Sequence, residues 1–431
     1  MSKKLHELAV ELNNVLGSDN CPVASLLSER GRRYYFPSRG ILGQSAEAKG
    51  ADINASIGTA FENDGTPLTL ECLAEKVGLD NKAFLYTPSY GLPALRKKWR
   101  KMMVEKNSTL NNKNFSVPVV THALTHGLSI SSLLFIDKND AVILPDLYWD
   151  NYDLLMHEGY GAELITFPMF KNGSFNVSGM EDILMTEGEK KIVLLNFPNN
   201  PTGYSATIED AANICQAVVR AADAGKKIVV VLDDAYFGLV YEEGLHTESL
   251  FADLANCHEN VLSIKLDGAT KEDYVWGFRI GFITFGCKSC TAEHYKALEA
   301  KAAGIVRGSI SSTSSLAQHF LLHAYKLPEY KGQKKNKFIT LKERYNRIRT
   351  IFTEHPEYAA SFTPMPFNSG YFMCVKPINV EPEELRKLLL KKYSTGVIVV
   401  TGLLRIAFSS VPLQKLETLF ANLHSAVQEM Q

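Results

Sequence analysis

Between about residues 118 and 286, short apolar runs alternate with stretches of helical period. The runs at 142–144, 192–195, 228–232, 261–264 and 280–283 read as strands. They are continuously apolar rather than alternating, so both faces of the sheet are expected to be covered, and the intervening helices make it mostly parallel. Further on the pattern changes. Helical periods cover about 313–325 and 334–354, and a strand-like run at 370–375 precedes a helix near 382–391. Two more strand-like runs fall at 396–400 and 404–408, and a last helix starts at about Leu413. The pattern predicts an α/β chain: a large unit on a mostly parallel central sheet, then a smaller α+β unit. Residues 1–16 carry Lys3 and Lys4, but Glu7 and Glu11 interrupt the apolar positions. That predicts an amphipathic helix, not a signal peptide.

Ligands of open parallel sheets bind at the carboxyl ends of the strands. Chemistry-bearing residues stand at those ends here. Asn200 follows one strand in Asn196-Phe197-Pro198-Asn199-Asn200-Pro201-Thr202-Gly203, and Asp233 ends the next in Asp233-Asp234-Ala235-Tyr236. Lys271 follows the third in Asp267-Gly268-Ala269-Thr270-Lys271, ahead of Gly277-Phe278-Arg279-Ile280-Gly281. Together they supply an amide, a carboxylate, a phenol, an amine and a cation, enough to hold and tune pyridoxal phosphate. With these motifs in this order, the chain resembles the fold-type-I, class I/II aminotransferases, and among them the aspartate aminotransferases. The resemblance runs from about Ile53 to the C-terminus.

The resemblance implies a role for each residue. Lys271 forms the Schiff base and moves a proton between the substrate Cα and the cofactor. Asp233 keeps the ring nitrogen protonated, while Asp234 points away, because adjacent strand residues face opposite sides. Tyr236 and Asn200 share the ring hydroxylate. The segment 121–128 looks like the phosphate loop, with Ala123, Leu124 and Thr125 at the anion-binding positions of a helix N-terminus. Arg279 is the principal phosphate cation. Here the sequence departs from the family pattern: the usual Ser/Gly pair is Ala123-Leu124, Gly127 replaces a common alanine, and Gly268 stands where many members carry serine. Trp149 is matched to the aromatic that stacks on the ring, with Tyr148 its rival. Tyr86 resembles the tyrosine that reaches the partner subunit's cofactor, which implies a homodimer with shared sites.

For substrate, Arg405 matches the arginine that binds the α-carboxylate through a bidentate fork. Gly58 belongs to a loop that closes over it. Arg307 falls where aspartate aminotransferases carry an arginine that crosses the dimer to a distal carboxylate, which favours aspartate with 2-oxoglutarate. Other members carry arginine there without that specificity, so an aromatic or broad-range aminotransferase is the alternative. A lyase or decarboxylase on the same scaffold comes next, then a non-catalytic ligand-sensing module. The expected division is 1–66 as N-terminal arm and part of the small domain, 67–328 as the large cofactor-binding domain, and 329–431 as the small C-terminal domain.

Composition adds exclusions. A formal net charge of −1 over 431 residues gives no electrostatic argument for a nucleic-acid or membrane partner. No run approaches the ~20 apolar residues of a membrane span. The cationic stretch from Lys331 to Arg349 reads as a solvated helix face. Seven scattered cysteines suit reduced thiols and a cytoplasmic location. Cys287 and Cys290 form one CxxC without a second pair, so no metal is expected.

Overall fold

Residues 5–16, 27, 31–33, 40–74 and 81–431 are described in this computed structural model. Much of the expected N-terminal arm, including 1–4 of the amphipathic helix, lies outside them. What is described of that helix is α1 (Glu7–Leu16). In chain order there follow α2 (Pro93–Lys106), β1 (Val119–Thr121), α3 (Ala123–Phe135), β2 (Ala141–Pro145) and β3 (Glu163–Phe167). Next come β4 (Lys190–Asn196), α4 (Ile208–Asp223), β5 (Lys227–Asp233), β6 (Val261–Gly268), α5 (Ala269–Glu272), β7 (Gly281–Gly286), α6 (Ala292–Ser309) and α7 (Ser315–Ala324). The C-terminal part contains α8 (Tyr330–Glu354), β8 (Phe362–Pro364), β9 (Met373–Pro377), α9 (Pro382–Tyr393), β10 (Ile398–Val400), β11 (Leu403–Ile406) and α10 (Leu416–Met430).

The large sheet has seven strands in the order β1-β7-β6-β5-β4-β2-β3. Only β7 runs against its neighbours, β1 and β6. Continuous apolar strands have a simple cause here. Val193, Leu195, Val230 and Leu232 enter one core, while Ile192, Leu194, Val231 and Ile264 enter the other. Both faces therefore bury apolar side chains. Helix α4 begins at a capping box, with Thr207 accepting from the Asp210 N–H and Asp210 accepting from the Thr207 N–H. β3 was not expected. It is an edge strand with Ile165 and Thr166 exposed, so its pattern lacks the buried signature of its neighbours.

The second sheet is antiparallel, in the order β8-β9-β11-β10, and its strands β9, β10 and β11 match the runs read from sequence. The segment from Ile53 to Ala55 lies beside it. Ile53–Asn54 pairs with Thr395–Gly396, and Ala407 N–H donates to the Ala55 carbonyl at 2.7 Å. This contact brings Ser56 and Gly58 over the carboxyl edge of the large sheet.

One expectation is corrected in α8: its basic residues are not all on a solvated face. Arg344 is buried and donates to the carbonyls of Ser409 and Phe61, and Lys337 pairs with Glu62 at 2.8 Å and Glu71 at 2.7 Å. Both cations close backbone and carboxylate groups of the 61–71 segment against the helix. Among the described residues, no helix is long and apolar enough to cross a membrane.

Candidate active site

The carboxyl ends of β4, β5 and β6 open onto a cavity of about 360 Å³. Lys271, Asp233, Tyr236, Asn200, Arg279, Arg405, Trp149, Gly58, Ala123, Leu124 and Thr125 all line it. Residues far apart in the sequence thus converge because strand ends and the small sheet meet there.

Asp233 ends β5 opposite Asn196 of β4. Its Oδ2 accepts from the Tyr152 hydroxyl at 2.7 Å and its Oδ1 from the Ala235 N–H at 3.1 Å. Burial pushes the carboxyl's pKa up, and the Tyr152 bond and the nearby Lys271 only partly offset this. Asp234 points to the opposite side, towards Lys265 and Ser249. Asn196 locks the next turn: its amide donates to the Asp233 carbonyl at 2.7 Å and its Oδ1 accepts from the Asn200 N–H at 2.8 Å. Gly203 closes that turn at φ 72, where a Cβ would lie 1.8 Å from the Phe372 carbonyl oxygen.

Lys271 sits on α5, its Nζ 5.0 Å from the centre of the Tyr236 ring. Burial lowers its pKa, Asp233 opposes that, and Arg279 adds to it. The amine is therefore easier to deprotonate than an ordinary lysine. The glycine at 268, a departure in the sequence, has a packing cause. A Cβ there would stand 2.6 Å from the Ile280 carbonyl oxygen and 2.8 Å from the Gly281 Cα. No serine fits where β6 meets β7.

The first turn of α3, from Ala123 to Thr125, presents a helix N-terminus to the cavity, and half-buried Arg279 faces the same end. Across the cavity, Arg405 projects from β11. It is buried, donates from Nη1 to Asn200 Oδ1 and from Nη2 to the Ser56 carbonyl, each at 3.1 Å, and leaves Nε without a partner. Thr270 Oγ1 is likewise buried and unpartnered at the wall. These unspent donors, the helix N-terminus beside a cation, and a buried carboxyl near an amine fit a phosphorylated pyridine aldehyde and a substrate carboxylate.

Trp149 lines the cavity, whereas the Tyr148 hydroxyl is turned to Asp153 at 3.1 Å. Tyr86 and Arg307 are not in this cavity. They share a separate surface cleft with Ser89 and Ser311, and Arg307 donates to Ser311 at 2.6 Å. Sequence reasoning missed Tyr152, Asn196, Phe372, Ser56 and Ile41 as lining residues. The signal for Tyr152 was present, since it follows Trp149 within one helical turn; the others depend on tertiary placement.

A model of the family "aminotransferase class I and II" matches residues 54–423. The α/β fold with its mostly parallel sheet is that of the type I pyridoxal-phosphate-dependent transferases. The chain belongs to the class I and II aminotransferase family. It is similar to the aspartate aminotransferase of Musicola paradisiaca, with 27% identity over 200 residues, or 46% of this chain and 47% of the relative. It is also similar to the probable aspartate/prephenate aminotransferase of Aquifex aeolicus, with 26% identity over 249 residues and 57% of each. The matched stretches span about half the length of these curated relatives. An aminotransferase structure from Anaerococcus prevotii has a TM-score of 0.81 and 21% identity, covering 93% of this chain and 98% of that one.

Proposed function

We propose that this protein is a pyridoxal-phosphate-dependent aminotransferase that moves an amino group from an L-amino acid to a 2-oxo acid in two half-reactions. The observation that carries the reading is the convergence of Lys271, Asp233, Tyr236, Asn200, Arg279 and Arg405 on one cavity. When bound, the cofactor supplies an aldehyde and an electron-withdrawing ring. Lys271 holds that aldehyde and, once displaced, carries the proton from the substrate Cα. Asp233 holds the proton of the ring nitrogen, and Tyr236 and Asn200 hold the ring hydroxylate. Ala123, Leu124 and Thr125 offer backbone N–H groups to the phosphate, with Arg279 as the cation. Arg405 binds the α-carboxylate, and Gly58 lies in the segment that covers it.

The preferred pair is aspartate and 2-oxoglutarate, acted on by a homodimer. Support comes from the cleft shared by Tyr86 and Arg307, away from their own Lys271. Tyr86 is 94% exposed beside Phe84 at 76% and Leu85 at 65%, an apolar strip that suits a second copy of the chain. In that arrangement Tyr86 and Arg307 serve the partner's cavity. One observation favours an aromatic or broad-range enzyme instead: Ile41, Ile57, Trp149 and Phe372 give the cavity an apolar wall near Arg405.

Single-turnover reaction of the cofactor-loaded protein with aspartate, glutamate, phenylalanine and alanine separates the two. Conversion to the pyridoxamine spectrum led by the dicarboxylates supports the aspartate reading. Conversion led by phenylalanine replaces it with the aromatic one.

A further inference from the structure

The two residues after Lys271 are both acidic and both buried. The Glu272 side chain is 3% exposed and that of Asp273 is 0%. They point away from the cavity into a cluster of cations and phenols. Glu272 Oε1 accepts from Lys106 at 2.6 Å, at the end of α2, and from Lys334 at 2.8 Å, in the second turn of α8. Asp273 Oδ1 accepts from the Tyr330 hydroxyl at 2.6 Å and from Lys334 at 3.1 Å. Its Oδ2 accepts from the Tyr325 hydroxyl at 2.7 Å.

The strand end that carries Asp233 is tied down in the same way. Its neighbour Asp234 is bonded to buried Lys265 and to Ser249. Lys265 and Lys106 lie over the same Phe237 ring, at 4.6 and 5.4 Å from its centre. The side chains next to both reactive positions therefore end in one ionic layer.

Buried ion pairs of this kind are a poor source of stability, because desolvation offsets most of the attraction. They are directional, however. Two carboxylates held by five hydrogen bonds from four side chains leave the α5 turn little freedom to rotate about its axis. α5 is a single turn starting at a glycine without a side-chain cap, so it has little rigidity of its own. Lys334 also connects the turn to α8, the long helix that leads to the second sheet.

We propose that Glu272, Asp273 and Lys334 are positioning residues that set the aim of the Lys271 amine into the cavity. The proposal rests on the reading of Lys271 as the cofactor-binding amine. Misplacing a reacting group by an ångström can cost on the order of a hundredfold in rate, so loss of one anchor is expected to slow imine formation about tenfold or more.

The test uses protein from which the cofactor has been removed, with pyridoxal phosphate as the probe. Lys334→Met and Glu272→Gln should slow the appearance of the imine absorbance and alter the visible circular dichroism of the bound chromophore. Lys334→Arg should restore both. Wild-type rates and an unchanged visible signal in Lys334→Met, even with a lower melting temperature, would overturn the proposal. Should Lys334→Met fail to fold, Tyr325→Phe and Tyr330→Phe decide by the same two readouts, since each removes one donor to Asp273 and no charge. Absence of any imine band in the wild-type protein would overturn the reading of Lys271, and this proposal with it.

Discussion

Replacing Arg405 by glutamine is the sharpest perturbation of the substrate side. The guanidinium has five N–H donors. Two are used, on Asn200 and on the Ser56 carbonyl, and 5 − 2 leaves three, including the unpartnered Nε. Two of these can grip a carboxylate as a fork, and hydrogen bonds to charged groups contribute about 1.5–3 kcal/mol each. The pair amounts to about 3–6 kcal/mol, which is roughly a hundredfold to ten-thousandfold in kcat/KM at 1.36 kcal/mol per tenfold. Glutamine stays polar but is shorter than arginine and keeps neither the charge nor the fork. Arg405→Lys keeps the charge and loses the fork, so it should fall between the two. The assay is the rate of the first half-reaction against amino-acid concentration, with melting temperatures of both variants measured alongside. A folded Arg405→Gln protein that loses less than tenfold in kcat/KM would refute the assignment of Arg405 to the α-carboxylate.

Asp233→Asn should still bind the cofactor but turn over roughly a hundredfold slower or worse, read as kcat at saturating substrate; unchanged kcat would remove Asp233 from the ring nitrogen. The lowered pKa of Lys271 means that its free amine is present at lower pH than for an ordinary lysine. Labelling of cofactor-free protein with an amine reagent should reach half its maximal rate at Lys271 below pH 10.5, the ordinary lysine value. Mixing Lys271→Ala and Arg307→Ala chains should recover about a quarter of wild-type aspartate activity, since half of a random mixture is hybrid and each hybrid has one intact site; no recovery would mean that Arg307 does not act across subunits. Burial raises the Glu272 pKa, but Lys106 and Lys334 outweigh that and hold it well below the ordinary value of 4.5. Its ionised form therefore adds stability above about pH 4.5, which is lost as pH falls towards its folded value. Glu272→Gln should lower the melting temperature at neutral pH, and the gap to wild type should narrow below pH 4.5.

Most of the central sheet was legible because its strands are buried on both faces and so carry short apolar runs, even where buried polar residues such as Ser263 and Lys265 interrupt β6. The edge strand β3 was not: with Ile165 and Thr166 open to solvent, it has no such run. The motifs around Asn200, Asp233 and Lys271 could be read because each follows directly on a strand end. Ser56, Ile41 and Phe372 reach the cavity only through the pairing of 53–54 with 395–396, the Ala407–Ala55 bond and the packing of the C-terminal part on the large sheet, which no local pattern encodes. Gly268 shows the reverse. In sequence it is a departure from a serine; in the structure it is the residue that lets β6 and β7 meet. The basic run in α8 misled for a related reason, since charge on a helix says nothing of the carbonyls waiting for Arg344.

The most direct test of the central claim is the 2-oxo acid released when the cofactor-loaded protein meets excess L-amino acid without an acceptor. The account predicts one equivalent per chain, matched by pyridoxamine phosphate, and none from Lys271→Ala. Release of carbon dioxide or ammonia in its place, with the aldehyde form of the cofactor retained, would contradict it and make this a lyase-type enzyme.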